Sequence, residues 1–443
     1  MADAAQSATE AALENQRIGA LQIRVVAICS LIQICDGYDV GSIGWAVPSL
    51  THAWNLPPSA FALAFLWSNF GVMAGALTSG PIGDRFGRKP LLVASIAIFG
   101  LASLLSAFTG SLGVMSVLRF FTGLGIAGAF SGTTALIGDY TPQRLRATMI
   151  MVTFTGAPVG GFVGGQIVAA LLRHYDWPVI FILGGVFPLI LLPIMALWLP
   201  ESPRFLIARA HLGSRDHKLL ARLGITLGGV EQHGADIALE NPVKMLFGSG
   251  YALQTGLLWV IFFCSLLNLY LFVFWLPEVL HLTCMTPPEA VFATSLHALG
   301  GIVAVLYLGY LIDRVGPERS LALHYAVGAV FVALIALVAM PYAILLASIF
   351  FSGLTSIGSQ TGANATCGAL YPARMRTTGI GWALGIGRLG GIAAAPLGGF
   401  LLARGLPPKE IFLSACLFAI VAAVATGLLA LRGTRAAAVT SQP

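Results

Sequence analysis

The chain has 443 residues, of which 57% are hydrophobic and only 9% charged, with a formal net charge of +6. An ordinary soluble domain is about a quarter charged, so this composition excludes that class. The positive balance does not point to nucleic acid either, because the bases are sorted by loop.

Crossing a bilayer takes about 20 residues. Apolar windows of that length recur near 24–48, 59–82, 89–109, 112–138, 147–172, 177–199, 252–277, 289–312, 319–340, 342–367, 377–403 and 409–431. All twelve should be helices, and the many Gly and Pro are no objection, since membrane helices tolerate both. The expected fold class is an all-α membrane protein with twelve transmembrane helices. Of the 24 Lys and Arg, nineteen then share one side, and Arg173, Arg404 and Lys409 lie on the other. Arg119 and Arg388 fall inside spans. The positive-inside rule puts both termini in the cytoplasm. Residues 1–20 contain Glu10 and Glu14 and no apolar stretch with a cleavage site, so no removable signal peptide is expected. The six cysteines show no paired spacing and read as small apolar residues, with no metal site among them.

The first span holds Asp36 and Asp39 near its middle. A carboxylate at that depth costs roughly 2.5–3.5 kcal/mol on insertion scales and usually has a function. The i, i+3 spacing puts both acids on one helix face, with Tyr38 between them. Gly37 either loosens the helix or admits a close neighbour. A pair of structural acids bonded to neighbouring helices is the plainer alternative.

Between the second and third spans runs Gly83-Asp84-Arg85-Phe86-Gly87-Arg88-Lys89. Its glycines suit a tight turn, and Asp84 can cap a helix or pair with a base. Arg119 lies in the fourth span, about 10 Å from its far end at 1.5 Å per residue. It either serves inside or snorkels outward. In the fifth span stands Thr155-Gly156-Ala157-Pro158-Val159-Gly160-Gly161.

Residues 200–250 form the only long polar connection. The expected domains are a six-helix bundle over 1–199, a cytoplasmic loop over 200–250 and a second bundle over 251–443. The halves repeat. Asp84 in GPIGDRFGRKP matches Asp313 in GYLIDRVGPER at an offset of 229, and Pro142, Arg144, Arg146 and Thr148 match Pro372, Arg374, Arg376 and Thr378 at 230. Duplicated spans are a signature of secondary transporters, which bind substrate at the midplane. Arg388 corresponds to Pro158 and Asp39 to Asn268, so the scaffold does not demand either charge. In the seventh span, Asn268, Tyr270 and Trp275 face a bilayer-depth environment where aromatics either stack on a ring or simply pack. His297 and His324 receive no role, since a lone His is more often a satisfied interior residue. Arg388 lies about 18 Å into the eleventh span. Its guanidinium suits a planar, bidentate carboxylate, either a substrate or one of the two aspartates.

The loop at 83–89, its echo at 309–319 and Arg119 with its following glycines resemble signatures of the major facilitator superfamily. That resemblance implies a gating role for Gly83, Asp84, Arg85, Gly87, Arg88, Asp313 and Arg314. More finely, Asp36-Gly37-Tyr38-Asp39 together with Met375–Ile392 resembles the aromatic acid:proton symporters, bacterial inner-membrane carriers of benzoate-like acids. The likeness covers about 20–430. It implies that Asp36 and Asp39 couple protons and that Arg119 and Arg388 are needed for transport. Arg388, Arg119, Tyr38, Asn268, Tyr270 and Trp275 are the substrate-binding candidates. The Gly156–Gly161 stretch partly resembles the Gly-Pro motif of drug:proton antiporters, which keeps proton-coupled efflux as the alternative.

The charges agree with symport. Asp36, Asp39, Arg119 and Arg388 sum to zero, a substrate carboxylate makes the set negative, and one proton restores neutrality. The expectation is a monomeric carrier of a small aromatic acid in the bacterial inner membrane. Its coupling ion is a proton, it has no cofactor, and its only other partner is the lipid bilayer. A sensor built on a transporter scaffold is a rival of another class. An enzyme is not expected, since no nucleophile–base set or His/Glu cluster is present.

Overall fold

The computed structural model describes residues 18–207, 219–220, 246–248, 251–283, 285–337, 341–371 and 373–440. Much of the expected 200–250 loop therefore lies outside the described residues. The helices are α1 (Ala20–Trp54), α2 (Ala62–Phe86, led in by a 3-10 turn at Pro58–Phe61), α3 (Arg88–Ser106), α4 (Leu112–Tyr140), α5 (Gln143–Phe154), α6 (Gly156–Leu171), α7 (Pro178–Trp198), the short α8 (Pro203–Ile207), α9 (Ala252–Leu282), α10 (Pro287–Val315), α11 (Pro317–Leu337), α12 (Tyr342–Leu370), α13 (Ala373–Ala403) and α14 (Lys409–Thr440). Twelve helices are long and apolar enough to cross a membrane, α5 and α6 counting as one. Among the described residues there is no strand. Helices satisfy every backbone group internally, which hydrocarbon demands. Large apolar side chains such as Leu77, Leu197 and Leu306 are correspondingly exposed, at 73%, 79% and 75%.

The chain packs as two compact units. The first takes residues 1–37, 67–160 and 181–237. Its core joins Ile28 and Ile32 of α1, Leu92, Ile96 and Phe99 of α3, Leu136 and Ile137 of α4, and Leu191 and Met195 of α7. The second takes 38–66, 161–180 and 238–443. Its core joins Leu258, Ile261 and Phe262 of α9 with Tyr325 of α11, Cys367 of α12, Ala383 of α13 and Leu429 of α14.

The sequence repeat is also a packing repeat. A side chain at Gly71 of α2 would run into the Phe120 carbonyl of α4, and one at Gly300 of α10 into the Phe350 carbonyl of α12. Gly123 meets the Ser68 carbonyl as Gly353 meets that of His297. Gly160 of α6 meets the Ile34 carbonyl of α1 as Gly390 of α13 meets that of Phe263 on α9. Each residue of the later pair follows its counterpart by 229 positions in the first two spans and by 230 in the fourth and fifth. Helices in lipid gain no hydrophobic drive to associate, so backbones approach over small residues, and both halves do so at the same places.

Candidate functional site

The helix α1 is unbroken across its two acids. Asp36 and Asp39 are 8% and 3% exposed. The Ser42 hydroxyl donates to the Asp39 backbone carbonyl at 2.7 Å and lies 3.4 Å from its carboxylate. Gly37 serves close approach, because a Cβ there would strike the Ala157 carbonyl of α6. Gly156 sits likewise against the Ser30 carbonyl. The glycines that resembled an antiporter motif are therefore used where α6 meets α1. Tyr38 donates its hydroxyl to the Ile180 carbonyl at 2.7 Å, and its ring stands edge-on to Trp45 at 5.3 Å. That phenol ties α1 to the start of α7.

In the second unit, Arg388 occupies the middle of α13 and is half-buried. Its Nη1 donates to the Tyr270 hydroxyl on α9 at 3.1 Å. Among the described residues no carboxylate lies within ion-pair distance of it. From Tyr270 a row of rings continues: Phe274 at 5.3 Å, then Phe65 stacked on Phe274 at 4.4 Å, then Trp275 edge-on to Phe65 at 5.3 Å. The guanidinium thus stands at the half-buried Tyr270 end of a row of rings whose inner members, Phe274 and Phe65, are buried. Trp275 itself is fully buried and packed at Gly398, so it closes the row from inside.

Asn268 is not part of this group. Two residues before Tyr270, it points from another side of α9 and donates to the Ala415 carbonyl of α14 at 2.9 Å. It borders a small cavity with Ser265, His324, Tyr325, Ser352 and Thr355. The two histidines are engaged. His297 lies 3.1 Å from both Ser352 and Ser356 hydroxyls and stacks on Phe272. His324 is bonded to the Ser320 carbonyl and the Tyr307 hydroxyl.

Arg119 belongs to the first unit and is 1% exposed, so it does not snorkel. Its Nη2 donates to Ser106 at 3.1 Å, and its guanidinium stands 5.0 Å over the Phe181 ring. A hydroxyl and an aromatic face from α3 and α7 hold the cation across the helix ends.

The loop after α2 is built around Gly87, whose φ of 105° suits glycine. The Glu201 carboxylate fills the space a Cβ would take there. Its Oε1 accepts the backbone N–H of Arg88 at 2.8 Å and of Lys89 at 3.2 Å, which caps α3. Asp84 pairs with Arg88 at 2.5 Å, and Arg85 lies over Phe86. A Cβ at Gly83 would press on the Arg88 side chain. Asp139 accepts from Ser202 at 2.6 Å and pairs with Arg204 at 3.5 Å. In the other half, Gly316 repeats the left-handed turn with φ of 91°, and Arg314 stands 4.4 Å over Tyr310. The Asp313 side chain lies outside the described residues. Glu201 and Asp139 receive no role in the sequence reading. The signal for Glu201 was present in an acid between prolines directly after the sixth span.

Twelve apolar helices, a duplicated packing plan and ionisable groups held at mid-span define a polytopic carrier. The chain belongs to the Major Facilitator Superfamily, whose family model matches residues 29–282 and 258–442. It is therefore a multi-pass membrane transporter and not an enzyme. It is similar to the gallate transporter of Pseudomonas putida, at 35% identity over 422 residues and 93% of each chain. The 4-hydroxybenzoate transporter PcaK of the same species is 32% identical over 400 residues, 89% of each chain. The 3-(3-hydroxy-phenyl)propionate transporter of Escherichia coli (strain K12) is 29% identical over 419 residues, 93% of this chain and 94% of that one. In fold, the chain is similar to a crystal structure of a D-xylose-proton symporter, with a TM-score of 0.71 at 16% identity over 91% of this chain and 97% of that one.

Proposed function

We propose that this transporter imports an aromatic carboxylate together with a proton by alternating access, across a bacterial inner membrane with both termini in the cytoplasm. The observation that carries the reading is Arg388. A fixed positive charge at mid-span, bonded among the described residues to the neutral Tyr270 hydroxyl, is a receptor for an anion. The half-buried Tyr270 ring beside it, backed by the buried Phe274 and Phe65, offers a surface to an aromatic body. The named cargoes of the relatives, gallate, 4-hydroxybenzoate and 3-(3-hydroxy-phenyl)propionate, share a carboxylate and a hydroxylated ring. Charge conservation supports proton coupling. Asp36, Asp39, Arg119 and Arg388 sum to zero, and an entering carboxylate brings one negative charge that a proton on an aspartate cancels. Each then favours the other's binding. The bias of nineteen bases to one side supports the orientation.

The test is uptake of labelled hydroxybenzoates and aliphatic acids into proteoliposomes under an imposed pH gradient. Aromatic acids should accumulate toward the alkaline side and stop when a protonophore collapses the gradient. Movement of the acid against the proton flux would replace symport by efflux exchange, and accumulation indifferent to the gradient would remove proton coupling altogether.

A further inference from the structure

His52, near the end of α1, and His281, near the end of α9, lie 229 residues apart, which is the offset of the internal repeat. Each is the other's counterpart, and both belong to the second compact unit. Their Nε2 atoms are 3.3 Å apart at the protein surface. Their ring centroids are 5.5 Å apart with the planes at 83°, so the two nitrogens face each other. The His281 Nδ1 lies 2.8 Å from the Met285 carbonyl oxygen. A carbonyl only accepts, so Nδ1 carries the hydrogen and, in the neutral ring, Nε2 turns its lone pair toward His52. A metal-ligating imidazole is held in this way, with its other ring N–H anchored on a carbonyl. An ion about 2.0–2.1 Å from two imidazole nitrogens at a tetrahedral angle keeps them roughly 3.3–3.4 Å apart. The observed separation already fits, and a small swivel of each ring brings both lone pairs onto one point. Among the described residues no third His, Cys, Asp or Glu completes a cluster, so water would fill the remaining positions. Glu278, one turn before His281, is buried at 1% exposure and does not join the pair.

We propose that His52 and His281 form a surface site for a transition-metal ion that prefers imidazole, such as Zn²⁺, Ni²⁺ or Cu²⁺. The ion links the first span to the seventh, one from each sequence half, at the ends remote from the start of each helix. A bound ion cross-links these ends, and it stops transport if the alternating-access cycle separates them. That consequence rests on the transport reading above, whereas the binding does not.

The two parts are tested separately. Purified full-length protein without substrate, titrated calorimetrically with Zn²⁺, should take up one ion per chain. His52→Ala and His281→Ala should each weaken binding roughly tenfold or more, since loss of an outer-shell partner alone costs that much. With Cu²⁺, electron paramagnetic resonance should show two imidazole nitrogens in the wild type and one in either variant. His52→Gln replaces the alanine variant if the latter fails to fold, as judged by its melting curve. Absent binding, or binding unchanged in both variants, overturns the site, because the two rings would then share only an N–H···N hydrogen bond. In proteoliposomes with established uptake, external Zn²⁺ should inhibit the wild type and spare His52→Ala. Undiminished wild-type transport at saturating Zn²⁺ overturns the clamp.

Discussion

At the scale of single residues, the decisive contrast is between two arginines inside spans. Arg119 is enclosed by Ser106 and the Phe181 ring at 1% exposure, whereas Arg388 is half-buried and bonded, among the described residues, to the Tyr270 hydroxyl. The permanent ion pair once open to Arg388 is not formed among the described residues. A guanidinium binds a carboxylate through a planar fork that an ammonium lacks. Arg388→Lys should therefore lose about 1.5–3 kcal/mol with an aromatic acid, roughly 10- to 150-fold in affinity. The corresponding amide should bind wild type and variant nearly equally. Binding of both ligands to both proteins checks this, and an unchanged acid affinity would take Arg388 out of the site. Tyr270→Phe frees Arg388 without removing a ring, so it should alter acid binding while leaving amide binding in place.

At the scale of elements, close helix contacts and the capped loop dominate. Gly390 touches the Phe263 carbonyl where α13 meets α9. Overpacking a filled contact costs about 1–3 kcal/mol, so Gly390→Leu should lower the melting temperature. Gly381 of the same helix has open space beside it, and Gly381→Leu should be tolerated. A thermal denaturation series in detergent compares them. On the loop, the Asp84 side chain is 69% exposed. A surface ion pair of that kind contributes about 0–1 kcal/mol, so Asp84→Ala should scarcely change stability. Glu201 holds two backbone N–H groups at the start of α3, and losing such a cap costs about 0.5–2 kcal/mol. Glu201→Ala should therefore destabilise more than Asp84→Ala. If both residues also gate transport, both variants should slow substrate exchange at unchanged equilibrium affinity, which counterflow measures.

At the scale of the whole molecule, the two halves use one packing plan and differ in charge. Asp39 has Asn268 as its counterpart, and Asn268 is built into the fold through the Ala415 carbonyl. An amide at the Asp39 position therefore need not harm folding. Asp39→Asn should leave folded protein in the membrane and abolish proton-driven accumulation of the acid. Accumulation equal to wild type, with normal dependence on the pH gradient, would falsify Asp39 as a coupling residue.

Much of this protein was legible in its sequence because a bilayer imposes simple rules. Lipid forces helices of about 20 apolar residues, so all twelve spans could be read within a few positions of their helices. The duplicated halves were legible because close helix contacts admit only small residues at given positions, as Gly160 and Gly390 show. The cost of charge in hydrocarbon singled out Asp36, Asp39, Arg119 and Arg388. Direction and contact were not legible, because they depend on which helix stands opposite. Tertiary packing alone gave Tyr270 to Arg388 and Asn268 to Ala415, although the two side chains are two residues apart on one helix. It closed Phe181 over Arg119 and set Glu201 at the head of α3, more than a hundred residues away in the chain. It also brought His52 to His281, because only folding can place the ends of two repeats side by side.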